Sequence, residues 1–495
     1  MKKYIGAILV LFGILLFSCT KNFTSINTDP TRPSTVTPGV ILPQLEYRMV
    51  STSVNAARTF THELMQVSAP RISADGLGVH RYFVNADNGS GFWNSMFGYM
   101  TDINDIYNIS NKLGEPNYKA IALVYKCWAY SMLTDVFGNI PYSQATDASD
   151  KNFTPAFDQQ KDVYAQILKD LSTANDLFDA TKALTYGGDV LYGSNALSGS
   201  TNPGIQNWKK LCNSLRLRLL LRLLKKDGEL DISSQIKATL ADPAKYPVFA
   251  GTADDAIFKF TGIYPYYNPY YNARTLDWRQ GDYYTHFFID TLNKFNDPRR
   301  TVWATTVKVN GAAVYQGINS GYVSTISYDV DANSSYSDIL KTLPQLGIMM
   351  TYSEVEFIKA ELELKGYTTG KTARTHYENG IAASMTQWGV TMPSGYLTQA
   401  GVLYNEAGSP DAQLQQIMLQ KYYALYFVDY QSWLEKKRTG YPVLPRGSGI
   451  PATNPFPSRF PYPTYLQTLN ATNLAAAIKG IGGNDNSSVK VWWEQ

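Results

Sequence analysis

The chain has 495 residues, and its 44 Lys and Arg residues nearly balance its 41 Asp and Glu residues. Because the chain is close to neutral and has no long basic run, nucleic acid is not an expected partner. Beyond the N-terminal segment, no apolar stretch reaches the about 20 residues that a membrane-spanning helix needs. The 36 Tyr and 9 Trp residues are unusually many, and such rings favour flat, amphipathic contact surfaces.

The N-terminus has the pattern of a bacterial lipoprotein signal. Lys2 and Lys3 precede an apolar or small run from Ile5 to Phe17, which is too short to span a bilayer, and Cys19 follows. The pattern predicts that residues 1–18 are a signal peptide and that Cys19 carries lipid, including palmitate. An ordinary secretory peptide with a stray Cys is the alternative, but Phe17 fits its cleavage triplet poorly. The lipid anchor is then the expected contact with the membrane.

The mature chain divides into a tether and one domain. Residues 19–42 are rich in Thr, Ser, Pro and Asn and are predicted to be extended. Residues 43–495 are predicted to form a single domain, in which apolar residues recur every three or four positions in four pairs of segments. These pairs are about 96–113 with 121–136, 163–178 with 208–226, 352–366 with 373–388, and a fourth pair between 411 and 438.

Long irregular stretches separate the helix pairs. Residues 180–204, 240–350, 390–410 and 440–490 are rich in Gly, Pro, Asn, Ser and Tyr, and loops of this length are usually functional. The predicted fold is therefore mostly α, with four helix pairs as a scaffold, long irregular insertions and little β-strand. Cys127 and Cys212 lie in apolar helical patterns, which favours buried free thiols over a disulfide.

The densest candidate for ligand contact is the segment 264–284. Sugar rings have apolar faces that pack on aromatic rings, and hydroxyl edges that bond to amide and guanidinium groups. The alternative is that the tyrosines of this segment pack the insertion onto the scaffold, with their hydroxyls pointing to water. The predicted contacts are Tyr267, Tyr270, Tyr271, Asn272, Arg274 and Trp278.

A second cluster leads into the first scaffold helix and contains Arg81, Phe83, Asn88 and Trp93. A Trp at the start of a helix is more often a packing anchor than a ligand contact. Arg81 and Trp93 are nevertheless both predicted as ligand contacts, and the packing interpretation of Trp93 stays open.

Signals of metal binding are few. None of the four His residues pairs with another at metal-ligand spacing. His62-Glu63 begins like a zinc-protease motif, but Gln66 stands where the second His belongs, so the motif fails. The sequence therefore predicts no metal site and no cofactor.

Signals of catalysis are equally few. Glu354, Glu356 and Glu361 could suggest a glycosidase, which needs two carboxylates across the scissile bond. They lie on one predicted helix, where Glu361 and Lys365 have the spacing of a common solvated pair. The arginines 216, 218 and 222 are likewise interpreted as a solvated or ion-paired face. The chain is predicted not to be an enzyme.

Several segments, in order along the chain, resemble the SusD/RagB family of nutrient-binding outer-membrane lipoproteins. Residues 27–30 (NTDP) and 38–43 (PGVILP) look like the branch named SusD-like. The other matching segments are 125–130 (YKCWAY), 134–142 (TDVFGNIPY), 207–218 (NWKKLCNSLRLR), 297–299 (DPR), 352–361 (YSEVEFIKAE) and 433–442 (WLEKKRTGYP).

The resemblance implies four tetratricopeptide-like helix pairs, a ligand face built from loops, and no catalytic centre. It implies a SusC-like TonB-dependent outer-membrane transporter as partner, and family ligand contacts near the region of Trp93. Residues 20–23 (TKNF) lack the acidic residues that often follow the lipidated Cys in surface-exposed lipoproteins. Display at the cell surface therefore depends on the family resemblance.

The leading hypothesis is a cell-surface lipoprotein that captures an oligosaccharide and passes it to the transporter. A peptide ligand is the first alternative. A structural adaptor of the transporter without a small ligand is the second, and a surface glycosidase is the third. Binding of calcium by a loop is left open.

Overall fold

The computed structural model describes residues 36–74, 78–145 and 152–495. The helices of nine residues or more are α1 (Pro38–Ala56), α2 (Ala86–Leu113), α3 (Pro116–Phe137), α4 (Gln160–Leu177), α5 (Pro203–Arg222), α6 (Ile232–Ala241), α7 (His286–Lys294), α8 (Tyr352–Leu364), α9 (Ala373–Gln387), α10 (Pro410–Ala424), α11 (Gln431–Thr439) and α12 (Ala471–Gly480). Shorter helical segments are Ala57–Thr61, His62–Leu64, Val79–Arg81, Leu224–Lys226, Asp227–Leu230, Thr252–Asp254, Thr275–Trp278, Arg300–Trp303, Ile339–Thr342, Pro344–Leu346, Tyr396–Thr398, Leu466–Leu469 and Trp492–Glu494.

The four predicted helix pairs are confirmed as α2 with α3, α4 with α5, α8 with α9, and α10 with α11. The first pair is bounded by residues that favour helix ends: the Asn85 side chain caps the start of α2, and Gly138, with φ of +85°, follows the end of α3. The last pair is divided by the turn Leu425–Tyr430, where Phe427 has φ of +65°. The fold is mostly helical and tetratricopeptide-like, as predicted.

Helix α1 is a correction to the predicted tether, because residues 38–42 are helical rather than extended. Pro38 suits the first position of a helix, where its missing N–H costs nothing. Pro43 gives up only the bond to the carbonyl of Gly39. The apolar side of α1 offsets that loss, since Leu42, Leu45 and Met49 are fully buried.

The arginines of α5 were expected to form a solvated or ion-paired face, and the ion-paired interpretation holds for Arg218 and Arg222. Arg218 and Arg222 are buried in ion pairs: Arg218 bonds to Glu354 of α8 through Nε at 2.6 Å, and Arg222 bonds to Asp135 of α3. Removing one partner of such a pair leaves a buried charge uncompensated. These bonds therefore fix the orientation of three helices relative to one another.

Glu361 of α8 is also buried rather than solvated. It pairs with Arg438 of α11, while Lys365, the partner predicted from spacing, lies 3.6 Å away at the surface. Arg438 also bonds to Glu435, which in turn pairs with Lys421 of α10. The last two helix pairs are thus joined through an internal network of charges.

The strands are short and form three antiparallel pairs, in agreement with the prediction of little β-structure. They are β1 (Ser68–Pro70) with β3 (Asp282–Tyr284), β2 (Ala256–Phe258) with β6 (Gly347–Met350), and β4 (Val307–Val309) with β5 (Ala312–Val314). In the first pair, Ser68 lies opposite Tyr284 and Pro70 opposite Asp282. This pairing brings the end of the tyrosine-rich insertion to the segment that follows α1.

Most large aromatic side chains lie inside the molecule. Eight of the nine tryptophans and eighteen of the tyrosines are buried among the described residues. Cys127 and Cys212 are buried free thiols, as predicted, and burial raises the pKa of Cys212 to about 12. Most of the Trp residues and many of the Tyr residues therefore build the core, and the remaining rings are available to surfaces.

The signal peptide, Cys19 and most of the predicted tether lie outside the described residues. Among the residues that are described, no helix has the length and apolar character needed to cross a bilayer.

Candidate ligand-binding surface

The tyrosine-rich insertion connects β2 to β3, and one set of its side chains points into the molecule. The amide nitrogen of Asn268 donates to the carbonyl of Leu340 at 2.9 Å, and the Tyr270 hydroxyl donates to the carbonyl of Val54 at 3.3 Å. Trp278 Nε1 donates to the carbonyl of Ser337 at 3.2 Å. These three bonds fasten residues 268–278 of the insertion to α1 and to the segment 337–340.

Arg58, just after α1, is the cation around which the insertion closes. Its guanidinium carbon lies 4.8 Å from the ring centroids of Trp278 and Tyr336 and 5.5 Å from that of Tyr270. It also donates to the Asp282 carboxylate at 3.2 Å. Cation–π contacts are strongest where water is excluded, so this cage stabilises the closed loop.

Trp278 and Tyr270 are therefore packing residues, and their prediction as ligand contacts is corrected. Trp278 is 1% exposed and Tyr270 is 8% exposed. Their ring centroids lie 4.8 Å apart, and Trp278 also packs on Tyr336 at 5.3 Å. Rings that already contact Arg58 and each other offer no open face to a sugar.

A second set of side chains in the insertion points outward. Tyr264 is 81% exposed and Tyr271 is 43% exposed, while Tyr267 is half-buried. The rings of Tyr267 and Tyr271 stack, with centroids 4.9 Å apart and an interplanar angle of 23°. We call Tyr264, Tyr267 and Tyr271 the tyrosine platform, since they are the insertion's accessible ring surfaces.

Asn272 and Arg274 stand beside the tyrosine platform and are exposed. Arg274 forms a two-bond pair with Asp277, from Nε to Oδ2 at 2.7 Å and from Nη2 to Oδ1 at 3.1 Å. These bonds lower the pKa of Asp277. Rings flanked by an amide and a guanidinium match the faces and edges of a saccharide.

Arg81 and Trp93, the candidates from the second cluster, are packing residues. Arg81 is 8% exposed, and its Nε donates to the carbonyl of Gly449 at 2.8 Å. Trp93 is 4% exposed and packs on Phe97 and Phe137, with ring centroids 4.7 and 4.9 Å away. Their prediction as ligand contacts is therefore corrected, and the packing interpretation of Trp93 holds.

The second cluster does border a cavity of about 340 Å³. Glu63 contributes its carboxylate, which accepts a bond from the backbone N–H of His80 at 2.9 Å. Burial raises the pKa of Glu63 to about 7, so near neutral pH this carboxyl can both donate and accept hydrogen bonds. The cavity is lined by Thr59, Glu63, Gly78, Val79, Phe83, Val84, Asn85 and Asn88.

Arg58 links the cavity to the insertion, because it is next to a cavity residue in the chain and bonds to the insertion. Thr59 of the cavity follows Arg58 in the chain, and Arg58 bonds to the backbone of Asp277 and to Asp282 at the base of the insertion. The two clusters found in the sequence are thus joined to the same segment. We call the tyrosine platform and this cavity together the ligand-binding surface.

Sequence reasoning found Phe83 and Asn88 of the cavity but missed Thr59, Glu63 and Asn85. In the sequence, Glu63 stands out only as part of the failed zinc motif. The signal that could identify Glu63 is an acidic residue among apolar neighbours near the end of a helix. A buried carboxyl of this kind needs a polar partner.

The glutamates that could suggest a glycosidase are all committed to partners. Glu354 pairs with Arg218, Glu361 pairs with Arg438, and Glu356 accepts bonds from His376 at 3.0 Å and Asn379 at 2.8 Å. In the described part of the chain, no cluster of three or more His, Cys, Asp or Glu side chains could hold a metal ion. What the arrangement can do is bind a ligand through rings and hydrogen bonds.

The scaffold consists of tetratricopeptide-like helix pairs and carries a surface built from loops. A family model described as "Starch-binding associating with outer membrane" matches residues 30–463. The chain belongs to this SusD-like family. A search of curated proteins gives no significant match.

Solved structures of SusD homologues share this fold. A homologue from Bacteroides fragilis is 25% identical with a TM-score of 0.75, covering 93% of this chain and 100% of its own. A homologue from Bacteroides uniformis is 25% identical with a TM-score of 0.77, covering 92% and 99%. A chitin-binding homologue from Flavobacterium johnsoniae is 22% identical with a TM-score of 0.74, covering 91% and 99%.

Proposed function

We propose that this protein binds an oligosaccharide on the ligand-binding surface and delivers it to a TonB-dependent outer-membrane transporter. Membership of a nutrient-binding, outer-membrane-associated family supports the role. The observation that carries the proposal is the stacked pair of Tyr267 and Tyr271 on a loop that Tyr270 and Trp278 hold in the core. Because the loop is already ordered, binding costs little conformational entropy there.

The chemistry favours a neutral or weakly charged glycan over a peptide. The tyrosine platform supplies extended ring area, and the cavity supplies amides and a carboxyl that can act as donor or acceptor. Peptide recognition commonly uses an unpaired strand edge or an apolar groove. The platform is neither, since its polar groups are side chains at the rim of flat rings.

Calorimetric titration of the Tyr267→Ala/Tyr271→Ala variant tests the proposal. Maltoheptaose and chitohexaose are suitable probes, because starch and chitin are the glycans named for the family and for a relative. Loss of two stacked rings should weaken binding of the accepted probe by at least about tenfold. Tyr186→Ala is the matched control, since Tyr186 is 39% exposed and belongs to another loop.

Two results would reject the site. One is unchanged affinity in the double variant for a probe that the wild-type protein binds. The other is an equal loss in the Tyr186→Ala control, which would point to a general effect on folding. A melting curve of each variant separates these cases.

Lipidation of Cys19 and display at the cell surface belong to the same proposal. The apolar run from Ile5 to Phe17 and the following Cys19 support lipidation, and membership of an outer-membrane-associated family supports display. Metabolic labelling with palmitate should mark the wild-type protein and not Cys19→Ser. Protease treatment of intact cells should degrade the labelled protein if it faces outward, and should spare it if it faces the periplasm.

A further inference from the structure

A second cavity lies on the scaffold and shares no residue with the ligand-binding surface. It has a volume of about 610 Å³ and lies between the end of α6, the segment 243–248 and the turn that links α8 to α9. Its walls include the rings of Tyr246 and Tyr367 and the apolar side chains of Leu240, Pro243 and Val248. This mixture of rings and aliphatic groups suits the apolar part of a small organic molecule.

Two lysines line this cavity, Lys237 of α6 and Lys359 of α8. Within the part of the chain that the structure describes, neither ammonium group donates a hydrogen bond or forms an ion pair. Lys359 is half-buried, and burial lowers its pKa. The Glu356 carboxylate attracts this ammonium group without bonding to it, and a partly desolvated ammonium without a bonded partner is costly.

Arg216 of α5 adds a third cation behind the cavity wall. It is 8% exposed, and it bonds to neutral groups: Nη1 to Thr239 Oγ1 at 2.8 Å and Nη2 to Gln235 Oε1 at 2.9 Å. Thr239 itself lines the cavity. Arg218 and Arg222 on the same helix each have a carboxylate partner, so Arg216 differs from its two neighbours in kind.

Charged groups of both signs surround the cavity beyond these cations. Lys371 lies near enough to lower the pKa of Lys359, and the Lys245 ammonium lies 5.1 Å from the Tyr246 ring centroid. Glu356 and Asp227 attract Lys359 and Lys237, respectively, but the oxygens of the nearby carboxylates accept hydrogen bonds from other groups. Glu356 accepts from His376 and Asn379, Glu363 from Thr369, Asp227 from Ser233, and Asp242 from the backbone N–H of Lys245.

We propose that this cavity binds a small organic anion, with one carboxylate, sulfate or phosphate group carried on a ring. The anionic group lies between Lys237 and Lys359, and the ring packs against Tyr246 and Tyr367. None of the residues that line the cavity is acidic, so the site has the charge to attract such a group. The anion supplies the partner that both lysines lack, and charge-assisted bonds of this kind are strong.

This site is independent of the oligosaccharide proposed for the ligand-binding surface, because the two share no residue. A protein with both sites would recognise an acidic molecule at the scaffold while holding a glycan on the insertion. Failure of one proposal therefore leaves the other standing, and variants of Tyr267 and Tyr271 should not change binding at the scaffold cavity.

Calorimetric titration with glucuronate, N-acetylglucosamine 6-sulfate and inorganic sulfate tests the proposal on the full chain. The first two probes distinguish a carboxylate from a sulfate, and the third shows whether the ring contributes. The Lys237→Met/Lys359→Met variant keeps the aliphatic stems and removes both charges. It should weaken binding of the accepted sugar acid by about tenfold or more.

Lys479→Met is the matched control, since Lys479 is exposed on α12 and has no ion pair in the described chain. Its affinity for each probe should equal that of the wild-type protein. The proposal is overturned if neither sugar acid binds the wild-type protein at millimolar concentration. It is also overturned if binding survives unchanged in the double variant.

A second measurement covers the case in which the double variant fails to fold. Lysines of the wild-type protein are labelled by reductive ¹³C-methylation, and the Lys359 signal is assigned from its loss in Lys359→Met. Addition of glucuronate or N-acetylglucosamine 6-sulfate should shift that signal and raise the pKa of Lys359. A signal that neither probe moves would contradict the proposal.

Discussion

Two regions of this protein contain a similar density of tyrosines, yet they place them differently. In residues 422–430, Tyr422, Tyr423, Tyr426 and Tyr430 are all buried at the turn between α10 and α11. In residues 264–271, Tyr270 is buried, Tyr266 and Tyr267 are half-buried, and Tyr264 and Tyr271 are exposed. Residue type is the same in both regions, so the difference comes from the packing partners of each ring.

The turn after α10 is surrounded by other elements. The Tyr426 ring lies 4.5 Å from that of Trp303 and 4.9 Å from that of His62, measured between centroids. The insertion packs on Tyr47 of α1 through Tyr266 and on Arg58 through Tyr270 and Trp278, while Tyr264 stays exposed. A ring becomes available to a ligand where packing partners exist on one side of its backbone and not on the other.

The largest expected effect is on stability, and it separates the two regions. Tyr426→Ala should lower the free energy of unfolding by about 3 to 5 kcal/mol, because it leaves a cavity among packed rings. Tyr271→Ala should change it by no more than about 0.5 kcal/mol, because its ring has one stacking partner and an open face. Urea denaturation of both variants measures the difference, and similar losses would refute the comparison.

The next effect is a pH dependence located at Glu63. Its pKa is about 7 in the folded protein and about 4.5 when unfolded, so the folded state holds the proton more tightly. Stability from this group is fully present below about pH 4.5 and is lost as pH rises toward 7, by at most about 3 kcal/mol.

Glu63→Gln keeps the shape of the side chain and removes its titration. The variant should show a smaller fall in unfolding free energy between pH 4.5 and 7 than the wild-type protein. Asp290→Asn is a control, since Asp290 is exposed and pairs only with His286. Parallel pH profiles of wild-type and Glu63→Gln would show that Glu63 titrates normally.

A smaller effect is expected at Trp278, where the insertion is fastened. Trp278→Phe keeps a ring beside Arg58 but loses the bond from Nε1 to the carbonyl of Ser337. We expect a loss of about 1 to 2 kcal/mol in unfolding free energy. Hydrogen exchange should be faster at residues 268–282 than in wild type, while exchange in α10 stays the same. Uniformly faster exchange would mean that Trp278 supports the whole fold.

Much of the scaffold could be predicted from the sequence, because helix pairs leave a periodic apolar pattern. Helix α5 was identified despite its alternating Leu and Arg residues. Helix α1 was missed because Pro38 and Pro43 resemble loop residues, although its buried Leu42, Leu45 and Met49 recur at helical spacing. A Pro at the first position of a helix costs little, so Pro38 is compatible with the start of a helix.

The division of the insertion into buried and exposed rings could not be predicted. Tyr270 and Tyr271 are neighbours with the same chemistry, and the burial of the first depends on Arg58, which is more than 200 positions earlier in the chain. The same holds for the partners of Arg216, Arg218 and Arg222. Which of them meets a carboxylate depends on tertiary packing and not on local spacing.

A crystal structure of the protein with an oligosaccharide that it binds tests the central claim most directly. The account predicts a sugar ring against the faces of Tyr267 or Tyr271, with Asn272 or Arg274 bonded to its hydroxyls and Trp278 still enclosed around Arg58. A saccharide bound elsewhere, with the tyrosine platform uncovered, would contradict it. So would a complex in which the insertion opens and Trp278 itself contacts the sugar.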